Sequence, residues 1–345
     1  MSNRVKAAAF AFVLVALLGA GAVAAGDSNN ATGDKGLILI DKRGNQIRFV
    51  HPATFAEQSA FPTAGGAPHD LAISPDHRTA YVPIYGDGIY LKNPNPGTSI
   101  LVVDLASQKP AGTIDISPHQ APHGIQIDDN GTLYVVTDIS KKLLIIDPKT
   151  RKVETAIDVE GTGHWLAVLP DASKAYVANQ TAHDFISVVD LKTRKMIGRI
   201  PAKGGSRGIV ASPDGRRVYA IEAGEPDILV IDTATNAIVD QVRLQGQSQP
   251  GYKLRLSPDG RTLVTCGGLG GGASIINIID TSDLHGTQHV LKAGMNAMGF
   301  AFAPDGRTVL VGNDGDGTVT VIDTAKRAVV HSFKAGVGIE TLSYF

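Results

Sequence analysis

The sequence predicts an all-β fold, a seven-bladed β-propeller, and three observations carry that prediction. An aliphatic run closing on aspartate recurs at Asp104, Asp147, Asp190, Asp232, Asp280 and Asp323, in steps of 43, 43, 42, 48 and 43 residues. A turn of the form Ser/Ala-Pro-Asp-Gly, or a close variant, stands upstream of most of those runs. No amphipathic stretch of helical length interrupts the series, which excludes a βαβ architecture. Four short strands in about 43 residues is the period of a propeller blade.

Each blade follows from its own residues. The turns are Ser74-Pro75-Asp76-His77, Ser212-Pro213-Asp214-Gly215, Ser257-Pro258-Asp259-Gly260 and Ala303-Pro304-Asp305-Gly306. Proline presets φ and glycine accepts a positive φ, so these segments reverse the chain tightly. Between turn and aspartate lie β-branched and aromatic segments such as Ala80-Tyr81-Val82, Thr132-Leu133-Tyr134-Val135-Val136 and Ala175-Tyr176-Val177, which suit short strands. Six whole units fall near 67–117, 118–160, 161–204, 205–246, 247–294 and 295–337. The chain ends supply the seventh. Gly36-Leu37-Ile38-Leu39-Ile40-Asp41, Ile47-Arg48-Phe49-Val50-His51 and Ala60-Phe61 read as the last three strands of a blade, and Ile339-Glu340-Thr341-Leu342-Ser343-Tyr344-Phe345 as its first. Pairing them closes the ring and leaves no open sheet edge. Residues 25–345 are therefore expected to form one propeller domain.

Composition narrows the function. A hydrophobic fraction of 43% with 19% charged residues in a 345-residue chain excludes a mainly disordered protein. With 32 Lys+Arg against 33 Asp+Glu, net charge −1, there is no electrostatic footprint for nucleic acid, and none is expected as a partner. The single Cys266 excludes an internal disulfide or a Cys-rich metal cluster. Arg4 and Lys6 precede an apolar stretch from Ala7 to about Val23 that ends in Ala22-Val23-Ala24. This pattern reads as a secretory signal peptide over residues 1–24, with an uncleaved N-terminal anchor as the competing reading. Cleavage leaves a chain of net charge −3. That mature chain is expected to be periplasmic or secreted, without a membrane span, and a monomer.

Segments such as Ser206-Arg207-Gly208-Ile209-Val210-Ala211-Ser212-Pro213-Asp214-Gly215-Arg216-Arg217-Val218-Tyr219, continued by Ile228-Leu229-Val230-Ile231-Asp232-Thr233-Ala234-Thr235, resemble the YVTN-repeat propellers of bacterial envelopes. The resemblance covers nearly the whole mature chain. Relatives by repeat include surface-layer propellers, the heavy subunit of methylamine dehydrogenase, haem-d1-binding propellers of the cytochrome cd1 type, and lactonase-like propellers. The resemblance implies the fold and leaves binding, catalysis and a purely structural or surface-layer role open.

Candidate site residues follow from the phase of the repeat. The innermost strand of each blade starts at one mouth of the central channel. Counting six residues back from Pro75, Asp129, Pro170, Pro213, Pro258 and Pro304 gives His69, His123, His164, Arg207, Tyr252 and Met298, with Glu340 the equivalent on the closing strand. His69, His123, His164 and Glu340 offer imidazole nitrogens and one carboxylate to a divalent metal such as Cu, Fe or Zn. The competing reading has the same imidazoles bonding neighbouring backbone in a wet channel. Tyr252, Trp165 and Arg207 are candidate ligand contacts for a redox cofactor, small molecule or envelope protein partner. A second functional reading starts from Pro122-His123-Gly124-Ile125-Gln126-Ile127-Asp128, which looks like the Pro-His segment of lactonase propellers. That resemblance implies His123 as proton-transfer group, Arg207 as oxyanion clamp, and Glu222 or Glu340 as acidic partner.

The longest insertion within a blade, Tyr85 to Gly97, belongs on the same face as the histidines, as a lid, a partner contact or simply a long loop. The run Cys266 to Gly272 lacks the residues of a phosphate cradle, and Asn313-Asp314-Gly315-Asp316-Gly317 lacks the late glutamate of a calcium loop, so both read as blade loops. Purified from an exporting bacterial host, the protein is expected to begin near residue 25 by N-terminal sequencing. A membrane-bound chain that keeps Arg4 and Lys6 would instead support the anchor.

Overall fold

The computed structural model describes residues 36–90, 92–180, 183–268 and 272–345. The segment read as a signal peptide, residues 1–24, lies outside the described residues. Among the latter no helix is long and apolar enough to cross a membrane.

Seven antiparallel sheets make up the ring, blades two to six each of four strands in sequential order, blade one with a divided innermost strand and blade seven joined from both chain ends. Blade one runs from Ala67–Pro68 to Lys109–Asp115, blade two from Pro122–Ile127 to Lys152–Asp158, and blade three from Gly163–Val168 to Lys195–Pro201. Blade four runs from Ser206–Ala211 to Ala237–Arg243, blade five from Gly251–Leu256 to His289–Met295, and blade six from Ala297–Phe302 to Ala328–Lys334. Blade seven pairs Ile339–Tyr344 with Leu37–Asp41, followed outward by Gln46–Val50 and Glu57–Pro62. The expected closure of the ring is thus the observed one. The innermost strand of blade one is broken into Ala67–Pro68 and Ala72–Ile73, with His69-Asp70-Leu71 between the two pieces.

The turn chemistry read from the sequence is visible atom by atom. Ser74, Ser212 and Ser257 each donate their hydroxyl to the aspartate two residues on, at 2.6 Å. Gly215 and Gly260 take φ of +68° and +71°, where a β-carbon is costly. The repeated aspartates end the third strands and accept backbone N–H groups of the next turn, as in Ser107 N to Asp104 Oδ1 at 2.7 Å and Thr193 N to Asp190 Oδ1 at 2.6 Å. These carboxylates serve the fold.

The core lies between neighbouring blades. Trp165, Tyr176 and Val188 of blade three pack with Ile209, Val218 and Leu229 of blade four, and equivalent layers repeat around the ring. Each inner strand therefore has a lumen-facing set of residues and an alternate set buried between blades.

The closing blade carries a device of its own. Asp41 is fully buried and accepts Gly44 N at 3.1 Å, Val337 N at 3.1 Å and Gly338 N at 2.8 Å, while Arg48 Nε donates to its other oxygen at 2.8 Å. Two of those donors lead into the closing strand. Replacing Asp41 by Ala removes the acceptor and leaves these donors unpaired, with an expected loss of about 2–4 kcal/mol in urea unfolding. Asp104→Ala, at an exposed turn, is expected to lose clearly less.

Candidate functional site

The seven positions counted from the turns sit at one level of the channel because their strands share a register. Pro68 faces Ile84, Pro122 faces Thr137, Gly163 faces Asn179, and Ser206 faces Glu222; His69, His123, His164 and Arg207 follow one residue later. The residue after the ring position alternates. Asp70, Trp165, Lys253 and Thr341 stand in blades one, three, five and seven, and glycines Gly124, Gly208 and Gly299 stand between them. A β-carbon on Gly124 would lie 2.8 Å from the His164 carbonyl and 3.0 Å from Trp165 Cα. Its absence lets blades two and three approach, and with them their histidines.

The three imidazoles form a contiguous cluster. The His69 and His123 ring centres are 3.6 Å apart and those of His123 and His164 3.9 Å, with tilts of 45° and 38°. All three side chains are buried, His123 completely. Lys42 Nζ lies 2.9 Å from His69 Nε2, and both groups lie 3.6 Å from the Glu340 carboxylate. An ammonium can only donate, so His69 Nε2 accepts and the ring proton sits on Nδ1. His69 Nδ1, both nitrogens of His123 and Nδ1 of His164 are buried without a hydrogen-bond partner. Each such group carries a desolvation cost of about 1–3 kcal/mol.

The insertion of blade one covers this cluster. Strands Thr79–Ile89 and Lys92–Asp104 run on past the blade as a hairpin, pairing Asp87 with Asn95 and Ile89 with Lys92. Tyr90 near its tip reaches blade three, where its hydroxyl donates to the Thr162 carbonyl at 2.7 Å. The Tyr90 ring stands edge-on to His164 at 4.7 Å. Tyr85 packs beside His69 at 5.3 Å and His123 at 5.4 Å and donates to Asp138 Oδ2 at 2.5 Å. Of the readings open for this insertion, the structure places it as a lid over the histidines.

Burial sets the protonation states. It lowers the pKa of His69, His123 and His164 well below the ordinary imidazole value. His123 adds to that effect at His69 and His164, and Lys42 and Lys253 add to it at all three rings. Burial raises the Glu340 carboxyl, against the pull of Lys42. Three neutral imidazoles are chemically metal ligands or hydrogen-bond partners, and none is a resident cation. As the rings stand, no three His, Cys, Asp or Glu donors among the described residues surround a common point.

The other candidates fall as follows. Tyr252 lies edge-on to Trp165 at 5.2 Å and to His164 at 6.2 Å, and the Arg207 guanidinium sits 5.5 Å from the Tyr252 ring centre. Trp165 is 4% exposed and contacts His164 at 3.8 Å, so it serves the blade interface and the site together. Glu222 accepts from Lys203 N at 2.8 Å and Gln241 Nε2 at 3.3 Å, which engages both of its oxygens within its own blade surroundings. Met298 is 9% exposed and offers only a thioether. Cys266 is buried, its thiol pushed up to about 12 by burial, and donates to the Ala297 carbonyl at 3.1 Å. It is a structural residue.

Lys42, Tyr85 and Asp138 were not found by counting along first strands. They occupy equivalent positions on the second strands, Lys42 and Asp138 just past the strand end and Tyr85 where its strand runs on into the hairpin, a level that Gln180 and Asp314 share in blades three and six. The same count applied to second strands reveals them. Tyr90 sits outside any repeat position.

Comparison with known proteins adds the following. The model of a family described as Domain of unknown function (DUF5074) matches residues 125–298. No curated protein matches the sequence. Among solved structures, the chain is similar to hydrazine synthase of Kuenenia stuttgartiensis, with a TM-score of 0.67 and 20% identity, over 81% of this chain and 90% of that one. At that identity the likeness speaks for the propeller fold.

The buried imidazoles predict a pH dependence for the metal-free protein. Their folded pKa lies below the unfolded value of 6.5. As pH falls through 6.5 the unfolded chain takes up protons that the folded chain refuses, so stability present above that pH is lost below it. Glu340, with its raised carboxyl, works in the opposite sense as one group against three. Urea midpoints are expected to fall steadily from pH 7 toward pH 5, and to fall less steeply in His123→Leu.

Proposed function

The chain belongs to the DUF5074 family, and from that premise we propose that it is an exported binding propeller whose lid-covered channel end takes up one divalent metal ion, Cu, Fe or Zn. The carrying observation is the cluster of three neutral imidazoles in mutual contact, with four buried ring nitrogens that lack a partner. Neutral imidazole suits these ions, and Glu340 adds a carboxylate oxygen. The site already accommodates a cation. The Lys42 ammonium stands 2.9 Å from His69 Nε2 and 3.6 Å from Glu340, in the place a metal ion takes on this reading. Uptake then requires Lys42 to withdraw and the rings to turn until their lone pairs converge. The signal-like N-terminus and the likeness of the repeats to YVTN propellers support a place in the bacterial envelope.

The test is metal titration of chelator-treated protein with Cu²⁺ or Zn²⁺, read by calorimetry and elemental analysis. Wild type is expected to bind one ion per chain and the His69/His123/His164 triple-alanine variant none. Lys42→Met is expected to bind at least tenfold more tightly, because a unit charge about 4 Å away is worth roughly 4 kcal/mol at an effective dielectric of ~20. Absence of a stoichiometric ion from wild type and Lys42→Met alike would overturn the reading.

A further inference from the structure

Below the histidine level the channel holds a partly open chamber with a cavity volume of about 80 Å³ that the metal site does not use. Its wall combines cationic and aromatic groups. Lys253 and Arg255 lie two residues apart on the same inner strand, Gly251–Leu256, so both side chains project to the same face about 7 Å apart along the chain. Asp70 faces them from blade one, with Oδ1 3.6 Å from Lys253 Nζ. Trp165 and Phe300 supply apolar wall, and Lys253 Nζ sits 5.1 Å from the Trp165 ring centre.

The charges do not cancel. Asp70 is the single carboxylate of the lining, and it also accepts Leu71 N. Lys253 is its ion-pair partner, and Arg255 has no carboxylate within ion-pair distance among the described residues. Arg255 is solvent-exposed within the lumen, and the protein around it lowers its pKa against the pull of Asp70. A solvent-reached guanidinium with no carboxylate in ion-pair distance is open to an incoming anion. A second unsatisfied donor lies in the same wall, for Trp165 Nε1 is buried with no acceptor. The chain as a whole carries a net charge of −1, so the positive excess of the chamber lining is local.

We propose that this chamber binds a small organic carboxylate, its charge held by Arg255 and Lys253 and its apolar body laid against Trp165 and Phe300. The guanidinium fork matches a carboxylate in two parallel hydrogen bonds. Aromatic walls with a few convergent polar groups are the usual make-up of a small-molecule pocket. The chamber shares Trp165 with the imidazole cluster, but its charged groups Arg255 and Lys253 are not metal ligands, so carboxylate binding and metal binding are tested separately.

Trp165 is the only tryptophan of the chain, which makes indole emission a local reporter. Benzoate added to metal-free protein is expected to change that emission saturably, with matching heat in a calorimetric titration. Benzamide, which keeps the ring and lacks the charge, is expected to give neither signal. Arg255→Gln is expected to weaken benzoate at least tenfold, while the His69/His123/His164 triple-alanine variant keeps it. Three results overturn the proposal: no saturable signal by either method, equal binding of benzamide, or full affinity in Arg255→Gln. Binding of inorganic phosphate with no binding of benzoate overturns the carboxylate assignment as well.

Discussion

The hydrogen-bonded ladder between Leu37–Asp41 and Ile339–Tyr344 is the constraint on which the rest of the molecule depends. Parts of the chain around Leu37 and Tyr344, toward its two ends, must meet there, and until they do the seventh blade lacks its innermost strand. Asp41 secures the junction by accepting from the turn of its own blade and from the segment that leads into the closing strand. A closed ring fixes the radius of the channel, and the radius decides which side chains can touch across it. Histidines contributed by three different blades stack within 4 Å only because that radius is small.

The small radius imposes a rule on the residues that follow. Seven side chains at the level just below the histidines would overfill the lumen, and glycine at alternate blades relieves the crowding. The gaps at Gly124, Gly208 and Gly299 leave room for Trp165 and Lys253, which gives the lower chamber its mixed aromatic and cationic wall. Buried side-chain atoms without a hydrogen-bond partner include a group at the channel, on His69, His123, His164, Trp165 and Arg207, alongside others on strand-end residues such as Asn179 and Asn313. A dense local group of such atoms on neighbouring imidazoles is the kind of inconsistency that functional sites carry.

Much of this was legible in the sequence, and the part that was not has a physical reason. The Pro-Asp-Gly turns and strand-ending aspartates disclose the blades because each blade must solve the same chain reversals in the same number of residues. The histidine level is legible because strand register converts a fixed offset from a turn into a fixed height in the channel. Lys42 and Asp138 obey the same logic on second strands, yet their residue types alone do not tell lumen from rim. Tyr90 escapes because an insertion has no period, and its reach to Thr162 depends on a hairpin that crosses two blades. The neutral state of the imidazoles is a consequence of burial, which a linear pattern does not contain.

One consequence of the closing blade reaches beyond architecture. Lys42 and Glu340 both belong to the blade that joins the two ends, and His69 belongs to its neighbour. The pocket therefore comes into being at the same moment as the ring. By thermodynamic linkage, whatever occupies the pocket draws the closure equilibrium toward the joined state in proportion to its concentration over its dissociation constant. Occupancy and resistance to unzipping at the seam are two readings of one free energy.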